Sequence, residues 1–151
     1  MKQIEHVLIS APNEAGRSFL DALLRKGVPV IGLANTLEQV NYMEEIGLHN
    51  TIMVSQGDEH KEILPPAAIG KVYLFEQSMP ALCQYLLVCR PWTTKAVFII
   101  KTVADKTTNI PSIYRLLGAN HVLLTTSNDT KFLLGSEYES QADEAGRFIY
   151  N

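Results

Sequence analysis

The sequence predicts an α/β domain: a three-layer, doubly wound parallel sheet of about six strands. Three observations carry that prediction. Strand-like and helix-like runs alternate along most of the chain, which is the pattern of successive βαβ units. The strand runs are continuously apolar rather than alternating, as parallel strands covered on both faces require. The 151 residues, 46% of them hydrophobic, suffice for one core.

Taken in order, residues 4–10 read as a first strand around Val7, Leu8 and Ile9. Residues 14–26 read as a helix, with Ala15, Phe19, Ala22 and Leu23 at helical spacing and Gly27 as its stop. Val28 to Leu33 is the second strand. Thr36 is a natural N-cap for the next helix, with Glu38 in its first turn and an apolar stripe of Leu37, Val40, Met43 and Ile46 running to Gly47. Thr51 to Val54 gives a third strand. The alternation then lapses through residues 55–70, where charges and the pair Pro65, Pro66 predict a long connection or a short broken helix. It resumes with a strand at Val72–Phe75, an apolar helix from Pro80 to Val88, a strand at Ala96–Ile100, a helix near Pro111–Leu117 and a strand at His121–Leu124. After Leu134 the chain turns acidic and closes on Phe148, Ile149 and Tyr150. The folded domain is therefore expected over residues 1–134, with 135–151 an acidic tail or a terminal helix.

Composition narrows the function classes. A net charge of -3, with 13 Lys and Arg scattered along the chain, leaves no basic footprint for nucleic acid. The two cysteines, Cys83 and Cys89, fall on different sides of one predicted helix, so a mutual disulfide is not expected and a reducing cytoplasm fits. No cationic leader precedes an apolar segment and no run is long enough to span a bilayer, so a cytoplasmic protein without membrane insertion is expected.

The most informative segment is Ile4 to Gly16, IEHVLISAPNEAG, an apolar strand that enters a turn and opens a helix. Ser10, Asn13 and Gly16 stand where a dinucleotide fingerprint carries its three glycines, so the sheet is Rossmann-like and the fingerprint is degenerate. The surviving Gly16 has the helix-packing position. The end of the second strand, where an acidic residue would hold ribose hydroxyls, reads Leu33, Ala34, Asn35. Both departures weaken the expectation of NAD, because Asn35 lacks a carboxylate's charge-assisted grip.

Further along, Val97 to Lys101 (VFIIK) ends a strand on a basic residue, and Tyr114 to Leu124 (YRLLGANHVLL) leads through a Leu-Gly-Ala-Asn turn into the next strand. With Glu45 to Leu48 before the third strand and Gln56 to Asp58 after it, residues 4–126 resemble the TrkA-N domain, also called the RCK N-lobe. The resemblance implies a non-catalytic regulatory module that senses NAD(H) or an adenine nucleotide, pairs as a homodimer and signals to a membrane transporter subunit. A second resemblance, through the spacing of Ser10, Asn13 and Gly16, is to the NmrA-like atypical reductases. A ligand-free dimerisation scaffold is the remaining alternative.

Any ligand of such a sheet belongs at its carboxyl edge. That rule selects Ser10, Ala11, Pro12 and Asn13 with Gly16 behind them, then Asn35, Thr36, Asp58, Glu76 and Lys101 as binding candidates. The alternative role for Ser10, Asn13 and Thr36 is helix capping, and for Lys101 a structural ion pair. Catalysis finds little support. No tyrosine precedes a lysine by four residues, no G-x-S-x-G elbow occurs, and His6, His49, His60 and His121 show no metal spacing. Cys83 and Cys89 sit among leucines and read as inert buried thiols. The apolar 80–88 helix covers the sheet on one side and could cover a partner with the other, and Trp92 marks an interface if exposed.

Overall fold

A computed structural model of the chain describes residues 4–104, 112–128, 130–134 and 147–150. Strands β1 (His6–Ser10), β2 (Val30–Ala34), β3 (Thr51–Met53), β4 (Ile69–Phe75), β5 (Val97–Thr102), β6 (His121–Thr125) and β7 (Arg147–Tyr150) form one sheet. Its order is β3-β2-β1-β4-β5-β6-β7, and every pairing is parallel. Parallel neighbours need crossovers, and helices α1 (Glu14–Arg25), α2 (Leu37–Glu45), α3 (Met79–Cys89) and α4 (Ile113–Leu116) lie in them.

The two faces of the sheet are covered separately. On one face α1 and α2 pack through Phe19, Leu20, Leu23 and Met43 onto Ile9, Tyr73, Phe98 and Leu123. On the other, α3 and α4 bring Leu82, Leu86, Cys89 and Tyr114 onto Leu8, Leu33, Leu74 and Ile99. Successive strand residues alternate between the two cores, so the strands are apolar throughout, as the sequence pattern required. Across the α1 face Tyr73, Phe98 and His121 stand in register on β4, β5 and β6, with ring centroids 5.0 and 4.9 Å apart. Phe19 meets Tyr73 edge-on at 4.8 Å, which fixes α1 against the middle of the sheet.

Local signals set the helix limits. Asn13, Thr36 and Ser78 are the N-caps of α1, α2 and α3, each accepting from the backbone N–H three residues on. Gly27, at φ 74°, follows α1 in the left-handed region where a side chain would be strained.

Two expectations are corrected. Arg147–Tyr150 is neither tail nor helix but the parallel edge strand β7, with Leu123 opposite Phe148 and Leu124 opposite Ile149. An aromatic and β-branched run suits a pleated edge, and the distant β6 that receives it is invisible in local sequence. Residues 135–146 lie outside the described residues. The 55–70 segment is a connection containing one short 3-10 turn, Asp58–His60, and β4 starts three residues earlier than the apolar run suggested, at Ile69.

Candidate functional site

β1 feeds α1 on one face, while its neighbour β4 feeds α3 on the other. The connections therefore part between the carboxyl ends of β1 and β4, and a crevice opens at that switch point. Its rim is Pro12 after β1, Asn35 and Gln39 from the β2–α2 junction, and Gln77 and Ser78 after β4. Phe75, Leu82 and Tyr85 also line it. The crevice is shallow: its cavity volume is about 10 Å3, room for roughly one water and far below the roughly 300–1,000 Å3 of pockets that bury drug-sized ligands.

The β1–α1 turn is closed by its own side chain. Asn13 Oδ1 accepts from the Gly16 N–H at 2.9 Å, and Asn13 Nδ2 donates to the Glu76 carbonyl at 3.0 Å. The Asn13 side chain thus occupies an N–H at the helix start that a phosphate could otherwise use. Ala11 is buried against Gly16, where an added Cβ would lie 2.8 Å from Ala11 Cα and 3.1 Å from the Phe75 ring. Gly16 therefore has the packing role that the third fingerprint glycine has. Nearby, Glu14 Oε2 accepts from Asn128 at 3.1 Å and Thr130 donates to the Ala15 carbonyl at 3.0 Å.

At the end of β2, Thr36 Oγ1 accepts from the Gln39 N–H at 3.2 Å, and Gln39 Oε1 accepts from the Asn35 N–H at 3.1 Å. This is a Thr-x-x-Gln capping pair whose glutamine reaches one residue beyond the usual place. It turns the Asn35 backbone into the helix start and leaves Asn35's side chain on the rim of the crevice. The Gln39 contribution was legible in that spacing and is absent from the sequence-derived candidates.

Glu76 and Lys101 come together beyond β4 and β5. Lys101 Nζ lies 3.4 Å from Glu76 Oε1, and the buried Tyr114 hydroxyl donates to Glu76 Oε2. The lysine is thus engaged by a carboxylate of its own chain. Burial, and then the Glu76 carboxylate, push the Tyr114 phenol well above the usual tyrosine range. Burial first and Glu76 second also raise the Cys83 thiol, while burial pushes Cys89 up to about 12, so neither cysteine is activated.

Asp58 stands apart from the crevice. Its Oδ2 accepts from the Ser55 N–H at 2.7 Å and its Oδ1 pairs with Lys61 at 3.4 Å, closing the 3-10 turn. That turn is docked on α3 by Gln84, which donates to the Ser55 carbonyl at 2.8 Å and to Glu59 Oε2 at 2.9 Å. Trp92 is half-buried and donates to the Ile63 carbonyl at 2.7 Å, so it packs the same connection down.

Two polar atoms on the α3 side remain over. The Tyr85 hydroxyl, from a residue only 4% exposed, and the Ser10 hydroxyl, from one 1% exposed, have no hydrogen-bond partner among the described residues. Ser10 stands opposite Leu33 and Leu74, which pack into the core that α3 covers. Tyr85 lines the crevice. Tyr85 is absent from the sequence-derived candidates, and its one signal is a phenol inside a largely apolar helix.

No protein-family model and no curated protein matches the chain by sequence. Solved structures do match. The TrkA-N domain of the inner membrane protein ybaL from Escherichia coli aligns at a TM-score of 0.59 and 15% identity, over 82% of this chain and 90% of that one. The chain has the Rossmann fold of a TrkA-N domain. The GsuK channel bound to NAD aligns at a TM-score of 0.59 and 19% identity, and the GsuK RCK domain at 0.57 and 18%. Each covers 78% of this chain, which spans 21% and 25% of those chains. The TrkA-N-like chain has no helix among its described residues that is long and apolar enough to cross a membrane.

Proposed function

We propose that this chain is a non-catalytic regulatory module that senses an adenine-containing ligand, NAD(H) or an adenine nucleotide, in the crevice between β1 and β4. The observation that supports it is the crevice itself. It lies at the switch point of a doubly wound sheet and its rim carries residues from three separate junctions, so an occupant would tie β1, β2 and β4 together. The likeness to a channel bound to NAD points the same way. In this reading the module works in the cytoplasm, as a homodimer, on a membrane transporter subunit.

A reductase would need a tyrosine poised to lose its proton beside a lysine. Tyr114 and Lys101 do meet through Glu76, but the phenol is shifted away from ionisation and the lysine is held in an ion pair with the carboxylate. That arrangement favours sensing over turnover. The test is a thermal-shift panel of NAD, NADH, ATP, ADP and AMP, followed by turnover assays with any dinucleotide that binds. A raised midpoint without turnover is expected, because a ligand that binds only the folded state stabilises it by mass action. Turnover of a carbonyl substrate would defeat the proposal.

A further inference from the structure

We propose that the groove between α1 and α2 is a second binding site, one that takes a basic amino acid, lysine or arginine. It shares no lining residue with the crevice between β1 and β4, so the inference does not rest on the adenine-sensing reading.

The groove has the room that the crevice lacks. Its cavity volume is about 420 Å3, within the roughly 300–1,000 Å3 of small-molecule sites. Arg17 of α1 lines it together with Leu37, Glu38, Asn41, Tyr42 and Glu45 of α2. These α2 residues recur at helical spacing, so they form one stripe on the side of α2 that meets Arg17. Glu38 and Glu45 stand toward its two ends, about 10 Å apart along the axis at about 1.5 Å per residue.

The charges in the groove are not used by the fold. The guanidinium carbon of Arg17 lies 4.3 Å from the centre of the Tyr42 ring, and Asp21, one turn further along α1, is held by Arg25 at 3.0 Å. Arg17, Glu38, Asn41 and Glu45 make no side-chain hydrogen bond or ion pair among the described residues. Arg17 Nε is shielded from solvent, so a ligand meets the two terminal nitrogens of the guanidinium. A guanidinium stacked on a ring keeps its in-plane donors for a carboxylate.

The pattern of charge selects the ligand. Arg17, held over Tyr42, lies between the two acids, and one cation with two carboxylates leaves the groove a net charge of -1. A simple anion such as phosphate is repelled by the acids, and a simple dication is opposed by Arg17. A basic amino acid carries the complementary set, one carboxylate and two cations joined by an apolar stem. Its carboxylate meets Arg17, its α-ammonium one acid and its side-chain cation the other. The stem lies along the Tyr42 ring and Leu37, which is 66% exposed.

The test is isothermal titration calorimetry of the full chain with lysine, arginine, norleucine, which lacks the side-chain cation, and cadaverine, which lacks the carboxylate. Lysine and arginine are expected to bind, with norleucine and cadaverine each about fivefold weaker, the size of one exposed charge contact. Glu38→Gln and Glu45→Gln, at exposed positions, are each expected to weaken lysine by about fivefold. One of the two should leave norleucine unchanged, which identifies the acid that meets the side-chain cation. Arg17→Gln is expected to remove the advantage of lysine over cadaverine. No binding of lysine or arginine up to about 10 mM overturns the site. Equal binding of lysine, norleucine and cadaverine, or unchanged lysine affinity in both glutamate variants, overturns the charge matching. A thermal shift with adenine ligands and no binding of lysine or arginine leaves the sensing reading standing and removes this one.

Discussion

The start of α1 and the wall formed by α3 face the same edge of the sheet and differ in how they use their polar side chains. Around α1, Asn13 satisfies both ends of its amide inside the protein, Glu14 is met by Asn128, and the Thr130 hydroxyl by the Ala15 carbonyl. On the α3 side, the hydroxyls of Ser10 and Tyr85 are buried and left over; on the α1 side Arg17 Nε also lacks a hydrogen bond, its guanidinium stacking on the Tyr42 ring instead. Desolvating a hydroxyl without a partner is unfavourable, so a fold selected only for stability would fill such a site with an apolar group. The comparison separates two jobs. The β1–α1 turn, where a fingerprint would place the ligand, holds the fold together, and the core under α3 keeps two hydroxyls that no group among the described residues uses.

The sharpest way to break that division is Gly16→Val. A side chain there would enter the space of Ala11 and Phe75, forcing α1 off the sheet. A loss of about 3 kcal/mol, at the upper end for overpacked cores, is expected in chemical denaturation. A milder loss would mean that the α1 face is less closely packed than its contacts imply.

Alkaline pH probes the other face. Cys89 is buried among the residues under α3 and its thiol moves from 9.0 to about 12. Between those values the unfolded chain has given up the proton that the folded chain keeps, so folding stability falls as pH rises through that window and is unaffected by this group below it. Tyr85 and Tyr114, on the same face, are raised by burial and act in the same direction at higher pH. Denaturation midpoints measured from pH 8 to 11 should fall, and Cys89→Ala should flatten the early part of that fall. Hydrogen exchange should show α3 amides losing protection before those of α1.

Asn13→Ala removes a cap and should cost about 1 kcal/mol, measured by urea denaturation. It also cuts the link from Asn13 Nδ2 to the Glu76 carbonyl, so a loss near zero would show that the turn is held by packing alone. The smallest effect is expected for Tyr85→Phe, within about 0.5 kcal/mol of the native chain or slightly more stable, since no hydrogen bond among the described residues is removed. The gap between these two substitutions measures the difference between the two sides of the edge.

Much of the fold was legible because local rules enforce it. Parallel strands buried on both faces must be apolar throughout, helix starts need Asn13, Thr36 and Ser78, and Gly27 and Gly47 follow the first two helices. The capping of α2 was readable to the side chain, since Thr36 and Gln39 stand at the spacing of a capping pair. β7 was not, because a short edge strand takes its identity from a neighbour distant in the chain.

The site divides in the same way. The sequence by itself determined that a sheet edge would gather Pro12, Asn13, Asn35, Glu76 and Lys101, because strand order in a doubly wound sheet brings those junctions together. Only the tertiary structure decided what each would do there. It gave Asn13 to the cap, Lys101 to Glu76 and Asp58 to its own turn, and it left the buried Tyr85 hydroxyl without a partner among the described residues. The physical reason is that hydrogen-bond satisfaction is a property of three-dimensional neighbours. A sequence fixes which donors and acceptors exist, and packing decides which of them the fold consumes and which remain for a ligand.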